Sequence, residues 1–472
     1  MQAVYSRGHS IRRAFLGHPD ATSTPVRRQQ LNSHCTKLFC ALRDKGSDSI
    51  GHSPNLSAMI VPAPELRTDL SAEQFLDDLA GTAAVIAGSA AERDAERRYP
   101  TAEYDALRDV GFWRLTVPRE YGGLGFGYQT LMSAVITVAA ADGSLGQLPQ
   151  NHFNTLERIA LAGSGDLRAR VFGRVAEGAV LGNATAEPRE RPPGENTTTL
   201  RRNGKTYCLT GRKVYATGAL LGDIIAVQAR DESGELVTAL VDRYAHGVTI
   251  VDDWSGFGQR TTASGTAVFD GVEVDETGVL RFGSDPHPRY RASAQSQLLH
   301  CAIDTGIAQG AFEAAVRLAH QVHGGRGSGA VEFTDDVLGV SRLGELWITV
   351  EGARAIVTHA AQALDALTDT DPLDKVLDAF YRVAAAKSIS TEAALTVTAA
   401  LIDIGGASST RTELRLDRFW RDARTHTVHD AVRWKPYSIG RRLLTGDVAD
   451  AWSIAHPFTP VDDLVHLAST RA

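Results

Sequence analysis

The chain has 472 residues, 50.6 kDa, 43% hydrophobic and 22% charged residues and a formal net charge of −7. These are ordinary values for a globular chain of two or three domains, and they exclude a wholly disordered or fibrous protein. The negative charge gives no footprint for nucleic acid, and no run reads as the ~18–20 apolar residues of a membrane span. Cys35, Cys40, Cys208 and Cys301 are too few and too scattered for a disulfide scaffold or a zinc site. No metal is expected, and a reducing, cytoplasmic setting fits.

Residues 1–58 hold eight Lys/Arg against three Asp/Glu and lack sustained periodicity. They read as a disordered tail, dispensable for folding, with an Arg-rich transit peptide as the lesser alternative. Met59 begins a segment like an ordinary protein start. Residues 59–177 form a helical domain: apolar residues recur at helical spacing in LSAEQFLDDLAGTAAVIAGSAAERDAER, and TLMSAVITVAAADGSLGQ reads as one deeper helical run. Residues 178–285 change to short β-branched runs with RRNGK and DESGE turns, which predicts hairpins in an antiparallel barrel or sandwich. Residues 286–472 return to long helices and form a C-terminal bundle. The apolar stretch VAAAKSISTEAALTVTAALIDIGG offers surface to pack against another subunit. The class is α+β, with a β domain between two helical ones.

Five strings stand out, each with a plain alternative. In GNATAEP, Asn183 and Thr185 sit where backbone could turn over a ring system, or where a strand simply ends at a proline. In GRKVYATG, a strand would put Tyr215 and Thr217 on one face, an aromatic and a hydroxyl suited to a flat cofactor or to an ordinary sheet. In DDWSGFGQRTTASG, Trp254 and Phe257 stand among glycines that let backbone approach a ligand closely, or that form a tight loop. In RDARTHTVHDAVRWK, a continuous helix would gather His426, His429, Asp430 and Arg433 within about 100° of arc, a density of ionisable groups that marks a site. In GQLPQNHF, His152 and Phe153 follow a proline, as site residues or core. GGRGSG follows no strand and reads as a flexible turn rather than a phosphate loop.

In order, these strings resemble the acyl-CoA dehydrogenase superfamily over roughly residues 70–450. Thr185-Ala186-Glu187-Pro188 is similar to the family's T-E-P flavin loop with one residue inserted, and Tyr215-Ala216-Thr217 to its W-I-T strand. The chain departs from the dehydrogenases in three ways. Their catalytic Glu lies in a Y-E-G-T-like string, and the aligned string here is His429-Asp430-Ala431-Val432. RERPPGE replaces their G-S-D continuation, and their R-x-x-F-G string, which reaches a neighbouring subunit's flavin, is absent.

GQLPQNHF, DDWSGFGQRTTASG and LDRFWRDARTHTVHD resemble the flavin-dependent monooxygenase branch, in particular its sulfur-acquisition enzymes. That resemblance implies reduced FMN, with FAD less favoured, delivered by a separate NAD(P)H:flavin reductase. It implies reaction with O2 to a C4a-hydroperoxyflavin, an organosulfur substrate and a homotetramer. It implies flavin contacts from Asn183, Thr185, Tyr215, Thr217, Trp254 and Arg326, and pocket walls from Phe153, Trp254 and Phe257. Catalytic roles fall to His429, His426 and His152, with Asp430 beside them. The alternative is an FAD-dependent acyl-CoA dehydrogenase-like desaturase with Asp430 as base; its carboxylate would sit ~1.3–1.5 Å short of a glutamate's, a misplacement that proton abstraction tolerates badly. A non-catalytic protein of the same fold is the third possibility.

Overall fold

The computed structural model describes residues 69–188, 197–325, 327–453 and 458–469. The tail reading of residues 1–58 and the flavin contact assigned to Arg326 lie outside the described residues. The N-terminal helices are α1 (Ala72–Glu96), α2 (Thr101–Asp109), α3 (Tyr128–Ala141), α4 (Gly143–Gln147), α5 (Pro149–Ala162) and α6 (Gly165–Ala176). A capping box starts α1: the Ser71 hydroxyl accepts from the Gln74 N–H, and the Gln74 side chain accepts from the Ser71 N–H. The expected single run over TLMSAVITVAAADGSLGQ is two helices. Asp142 is extended, and its carboxylate caps α4 through the N–H groups of Ser144 and Leu145 while accepting two hydrogen bonds from Arg93. Pro149 then opens α5, where its missing N–H costs nothing.

The middle strands are β1 (Leu181–Ala184), β2 (Thr199–Asn203), β3 (Thr206–Lys213), β4 (Ile224–Arg230), β5 (Leu236–Asp242), β6 (Val248–Val251), β7 (Thr266–Asp275) and β8 (Val279–Leu280). They make one sheet ordered β6-β7-β3-β2-β4-β5-β8, with β1 beside β4. Both predicted hairpins form: β2 pairs with β3 across Gly204-Lys205, and β4 with β5 across the turn holding Gly234. The sheet is mixed rather than purely antiparallel. β1 runs parallel to β4, and β2 meets β4 in parallel at Thr199 and Arg230, because crossovers rather than hairpins connect them.

The C-terminal helices are α7 (Pro286–Ala319), α8 (Val337–Asp365), α9 (Leu373–Gly405), α10 (Asp417–Thr427) and α11 (Trp434–Thr445); β9 (Val448–Ala449), β10 (Phe458–Thr459) and α12 (Val461–Ser469) follow. Contrary to the composition reading, one helix, α9 extended to Thr410, is long and apolar enough to cross a membrane by length and composition; half of the tested window is buried inside this fold. Its alanines pack against α7 and α8. Its small apolar face is therefore largely consumed within the chain. Among the large exposed apolar side chains, Val337, Leu338, Trp347 and Ile348 lie together on α8.

Candidate active site

The strand predicted for Tyr215-Ala216-Thr217 is a turn: β3 ends at Lys213 and Tyr215 is left-handed at φ 52°. The segment nevertheless brings the expected residues together. The Asn183 N–H donates to the Thr217 carbonyl (3.0 Å), the Asn183 amide donates to the Tyr215 carbonyl (3.4 Å), and the Thr185 hydroxyl donates to Asn183 Oδ1 (2.6 Å). Two backbone bonds, Ala216 N–H to Gly265 O and Gly218 N–H to Thr262 O, close this turn onto the loop before β7. Thr217 is buried, and its hydroxyl shares a hydrogen bond with Ser264 (2.7 Å), which shares another with Thr262 (2.7 Å). Trp254 donates its indole N–H to the Gln259 carbonyl (2.8 Å) and meets the Tyr215 ring edge to face at 6.2 Å. Of the five left-handed non-glycine residues among those described, three, Tyr215, Gln259 and Ala263, lie in these two loops. Backbone held in a sparsely populated region costs ~1–3 kcal/mol each and concentrates at functional sites.

The two glycines read as ligand approaches have another role. A Cβ at Gly256 would strike the Trp254 ring, and one at Gly258 would strike the Arg421 carbonyl. They let Trp254 fold onto its own loop and α10 press against it. Phe257 is 55% exposed and stacks on Trp420 at 6.1 Å, so it covers the outside of α10 rather than walling a pocket. Gln259 is the junction of the molecule. Its N–H donates to Asp422 of α10 (2.6 Å), and its side chain donates to the Gly143 carbonyl of α4 (3.2 Å).

One turn after Asp422 comes His426, and here the predicted helix stops. α10 ends at Thr427, so His426 and His429 do not share one helix. They stay adjacent because the His429 Nδ1–H donates to the His426 carbonyl (2.8 Å), and their rings stack at 5.2 Å. Sequence reasoning missed the partners on α7 and α9. His300 Nδ1 lies 2.9 Å from His426 Nε2, and its ring stacks on His429 at 3.8 Å. His426 Nδ1 lies 2.6 Å from Asp304, whose other oxygen accepts from Lys387 (2.6 Å) and Thr391 (2.9 Å). The missed signal is polar residues at one-turn spacing on apolar helices: His300 and Asp304 on α7, Lys387 and Thr391 on α9.

Electrostatics fix the protonation states. Desolvation acts to raise the Asp304 carboxyl, but Lys387 and then His426 hold it far below the carboxylate range. Burial, followed by neighbouring charges including Lys387, pushes His300 well below its ordinary value. Burial likewise lowers His426, against the pull of Asp304. Desolvation, then Lys387 and His426, lowers His429, although the residue as a whole is exposed. All three imidazoles are neutral near pH 7. Their ligand-capable nitrogens lie within 4.8 Å of one another. The rings are stacked rather than converging on one point, and His426 has both nitrogens engaged, which describes a hydrogen-bonded stack more closely than a metal centre.

His152 and Phe153 lie elsewhere. His152 is fully buried; its Nε2–H donates to the Trp113 carbonyl (2.6 Å), and its Nδ1 accepts from the Leu181 N–H (3.1 Å). Both nitrogens are spent tying the N-terminal helices to β1, and burial pushes its pKa down to about 4. Phe153 is fully buried against Phe112 and is core, not pocket wall. Asp430 leaves the histidine stack and pairs with Lys435 at 2.6 Å. That pair borders a cavity of about 250 Å3, also lined by Gln297, Phe380, Trp434 and Trp452.

Helical domain, central mixed sheet and helical bundle, meeting at polar loops and buried imidazoles, define an acyl-CoA dehydrogenase-type fold. The sequence agrees. Profiles of the acyl-CoA dehydrogenase N-terminal, middle and C-terminal domains match residues 73–179, 184–272 and 298–434. The chain belongs to the acyl-CoA dehydrogenase family. It is 32% identical over 382 residues to a dibenzothiophene monooxygenase of Rhodococcus qingshengii, covering 76% of this chain and 90% of the relative. Among solved structures it resembles FMN-bound TdsC from Paenibacillus sp. A11-2, with a TM-score of 0.76 and 28% identity over 81% of this chain and 100% of that one. Methanesulfinate monooxygenase MsuC from Pseudomonas fluorescens gives a TM-score of 0.75 and 30% identity over 81% of this chain and 99% of its own.

Proposed function

We propose that the chain is a two-component flavin-dependent monooxygenase. It takes reduced FMN, rather than FAD, from a separate NAD(P)H:flavin reductase and uses O2. One oxygen atom goes to the sulfur of a small organosulfur compound and the other leaves as water. The observation that carries this reading is the ion pair of Asp430 with Lys435, 2.6 Å apart. Desolvation raises that carboxyl, but Lys435 beside it holds it below its ordinary value. A carboxylate held in this way by an ammonium is a weak base, which disfavours the desaturase reading. Similarity to TdsC and MsuC supports the same choice.

The residues present fit a flavin. Asn183, Thr185 and Thr217 offer amide and hydroxyl groups for the polar edge of a flat ring, and Tyr215 and Trp254 offer aromatic surface beside them. The bound flavin supplies electrons to oxygen. Trp254 and Tyr215 would keep water from one side of it, which limits unproductive loss of the oxidising equivalents. The Thr262 hydroxyl donates to the Gln259 carbonyl (3.0 Å), so Ser264 donates to Thr262 and Thr217 to Ser264, and Thr217 Oγ1 would meet the ring edge as an acceptor. His429, tied at Nδ1, keeps Nε2 as a proton acceptor in its neutral state. It becomes a donor after taking up a proton, which an anion bound beside it favours. The exposed apolar side chains of α8 support assembly into a homotetramer, and a reducing, cytoplasmic setting suits the free Cys208 and Cys301 thiols.

The test compares His429→Ala with Asp430→Asn, using reduced FMN, O2 and a panel of sulfides, sulfoxides and sulfinates. His429→Ala should shift the ratio of oxygenated product to hydrogen peroxide toward peroxide by about tenfold or more, with Asp430→Asn milder. Normal coupling in His429→Ala, or inactivity confined to Asp430→Asn, overturns the proposal.

A further inference from the structure

We infer that Asp304 and His300 are positioning residues: with His426 they form a one-way hydrogen-bond chain behind His429 that fixes the tautomer of each ring and gives the site a place to hold one proton. The direction follows from the acceptors. Asp304 accepts from Lys387 and Thr391, so it is anionic and only accepts. His426 must then donate from Nδ1 to Asp304, and being neutral it keeps a bare Nε2. That bare Nε2 faces His300 Nδ1 at 2.9 Å, so His300 must donate from Nδ1 and keep its own Nε2 bare. His429 donates from Nδ1 to a carbonyl and also keeps a bare Nε2. The two rings stacked at 3.8 Å, His300 and His429, therefore both present acceptors.

A proton taken up at His300 Nε2 passes through Nδ1 to His426, where the cation sits against Asp304. This is the arrangement in which a buried carboxylate orients a histidine and stabilises its protonated form. The groups that set the proton's energy come from every packed element: Asp304 and Cys301 on α7, Lys387 and Thr391 on α9, Lys435 on α11, and Asp430 in the turn between α10 and α11. Lys387 and Asp304 have fully buried side chains. Removing one alone would strand a buried charge, so the two are replaced together.

The chain's direction is independent of the proposed reaction, and only its use in proton delivery rests on the monooxygenase reading. The first readout is the histidine side-chain nitrogen spectrum of the flavin-free protein, with His300, His426 and His429 assigned by single substitutions. Wild type should show all three as the Nδ1–H tautomer. Asp304→Leu with Lys387→Met, folded by circular dichroism, should release His426 into a mixture with Nε2–H. A wild-type His426 carrying Nε2–H, or an unchanged tautomer in the double variant, refutes the chain. The second readout uses His300→Phe, which keeps a ring against His429 but removes both nitrogens. Its product-to-peroxide ratio with reduced FMN should fall about tenfold and lose its pH dependence below pH 6.5, and a wild-type pH profile refutes the proton-holding role. If wild type consumes no oxygen with reduced FMN while the tautomers are as stated, the monooxygenase reading fails and the chain stands.

Discussion

His152 offers the sharpest test of how this molecule is held together. Its ring bridges the Trp113 carbonyl and the Leu181 N–H at 2.6 and 3.1 Å, in a site with no exposure. His152→Ala strands both backbone groups, at ~1–3 kcal/mol each, and leaves a ring-sized cavity, so a total near ~3–5 kcal/mol is expected. The pH dependence is more diagnostic. Burial lowers the ring from its ordinary 6.5 to about 4 in the folded protein. Between those values the unfolded chain binds a proton that the folded chain refuses. Stability present above pH 6.5 is therefore lost as pH falls toward 4, by ~3 kcal/mol in all. Urea unfolding between pH 7.5 and 4.5 measures this, followed by tryptophan fluorescence, because Trp113 packs edge to face on the ring at 5.3 Å. His152→Gln, which cannot titrate, should lose that part of the slope. If His152→Gln keeps the wild-type slope, or if His152→Ala keeps full stability yet uncouples oxygenation, His152 is a site residue and the structural assignment is wrong.

Asp422 should behave with the opposite sign. Burial, and then the charges of Asp94 and Asp142, raise its carboxyl to about 7, so wild type loses stability as pH rises from about 4 to about 7. Asp422→Asn keeps an acceptor for the Gln259 N–H and should raise the melting temperature at pH 8 but not at pH 4.5; equal effects at both would contradict this. Thr217→Val removes a hydroxyl whose hydrogen bond is worth ~0.5–1.5 kcal/mol, and should weaken FMN binding by about two- to tenfold in a fluorescence titration, a larger effect than on thermal unfolding. Unchanged affinity would place Thr217 away from the ring. Lys387→Met alone should cost ~3–5 kcal/mol in urea, and adding Asp304→Leu should restore most of it, because the partner is otherwise left charged and fully buried. A neutral single variant would mean that the pair is not desolvated.

The three-part architecture was legible because each part has its own periodicity, helical, then alternating with Gly-marked hairpins, then helical again. The loops that bring Asn183, Thr185, Tyr215, Thr217 and Trp254 together were legible as motif strings. The geometry behind them was not. Tyr215 was read on a strand because its neighbours are β-formers, yet hydrogen bonds to the loop of residues 262–265 hold it left-handed. Gly256 and Gly258 have the look of ligand-contacting glycines, and only the packing of Trp254 and α10 shows what they clear space for. His152 and Phe153 sit beside a motif, and a sequence does not distinguish a polar side chain that faces a ligand from one consumed by two backbone partners. His300, Asp304 and Lys387 were missed because they lie on two helices whose contact is long-range, so no local string contains them.

The central claim is that oxygen from O2 is transferred to an organosulfur compound with reduced FMN as electron donor. The most direct measurement supplies the purified chain with reduced FMN from a separate flavin reductase, 18O2 and a panel of small sulfides, sulfoxides and sulfinates, and follows products by mass spectrometry. The product should carry one 18O atom per transfer, depend on reduced FMN and be diminished in His429→Ala. Oxygen consumed solely to peroxide with every compound, together with flavin reduction by an acyl-CoA thioester, would contradict it.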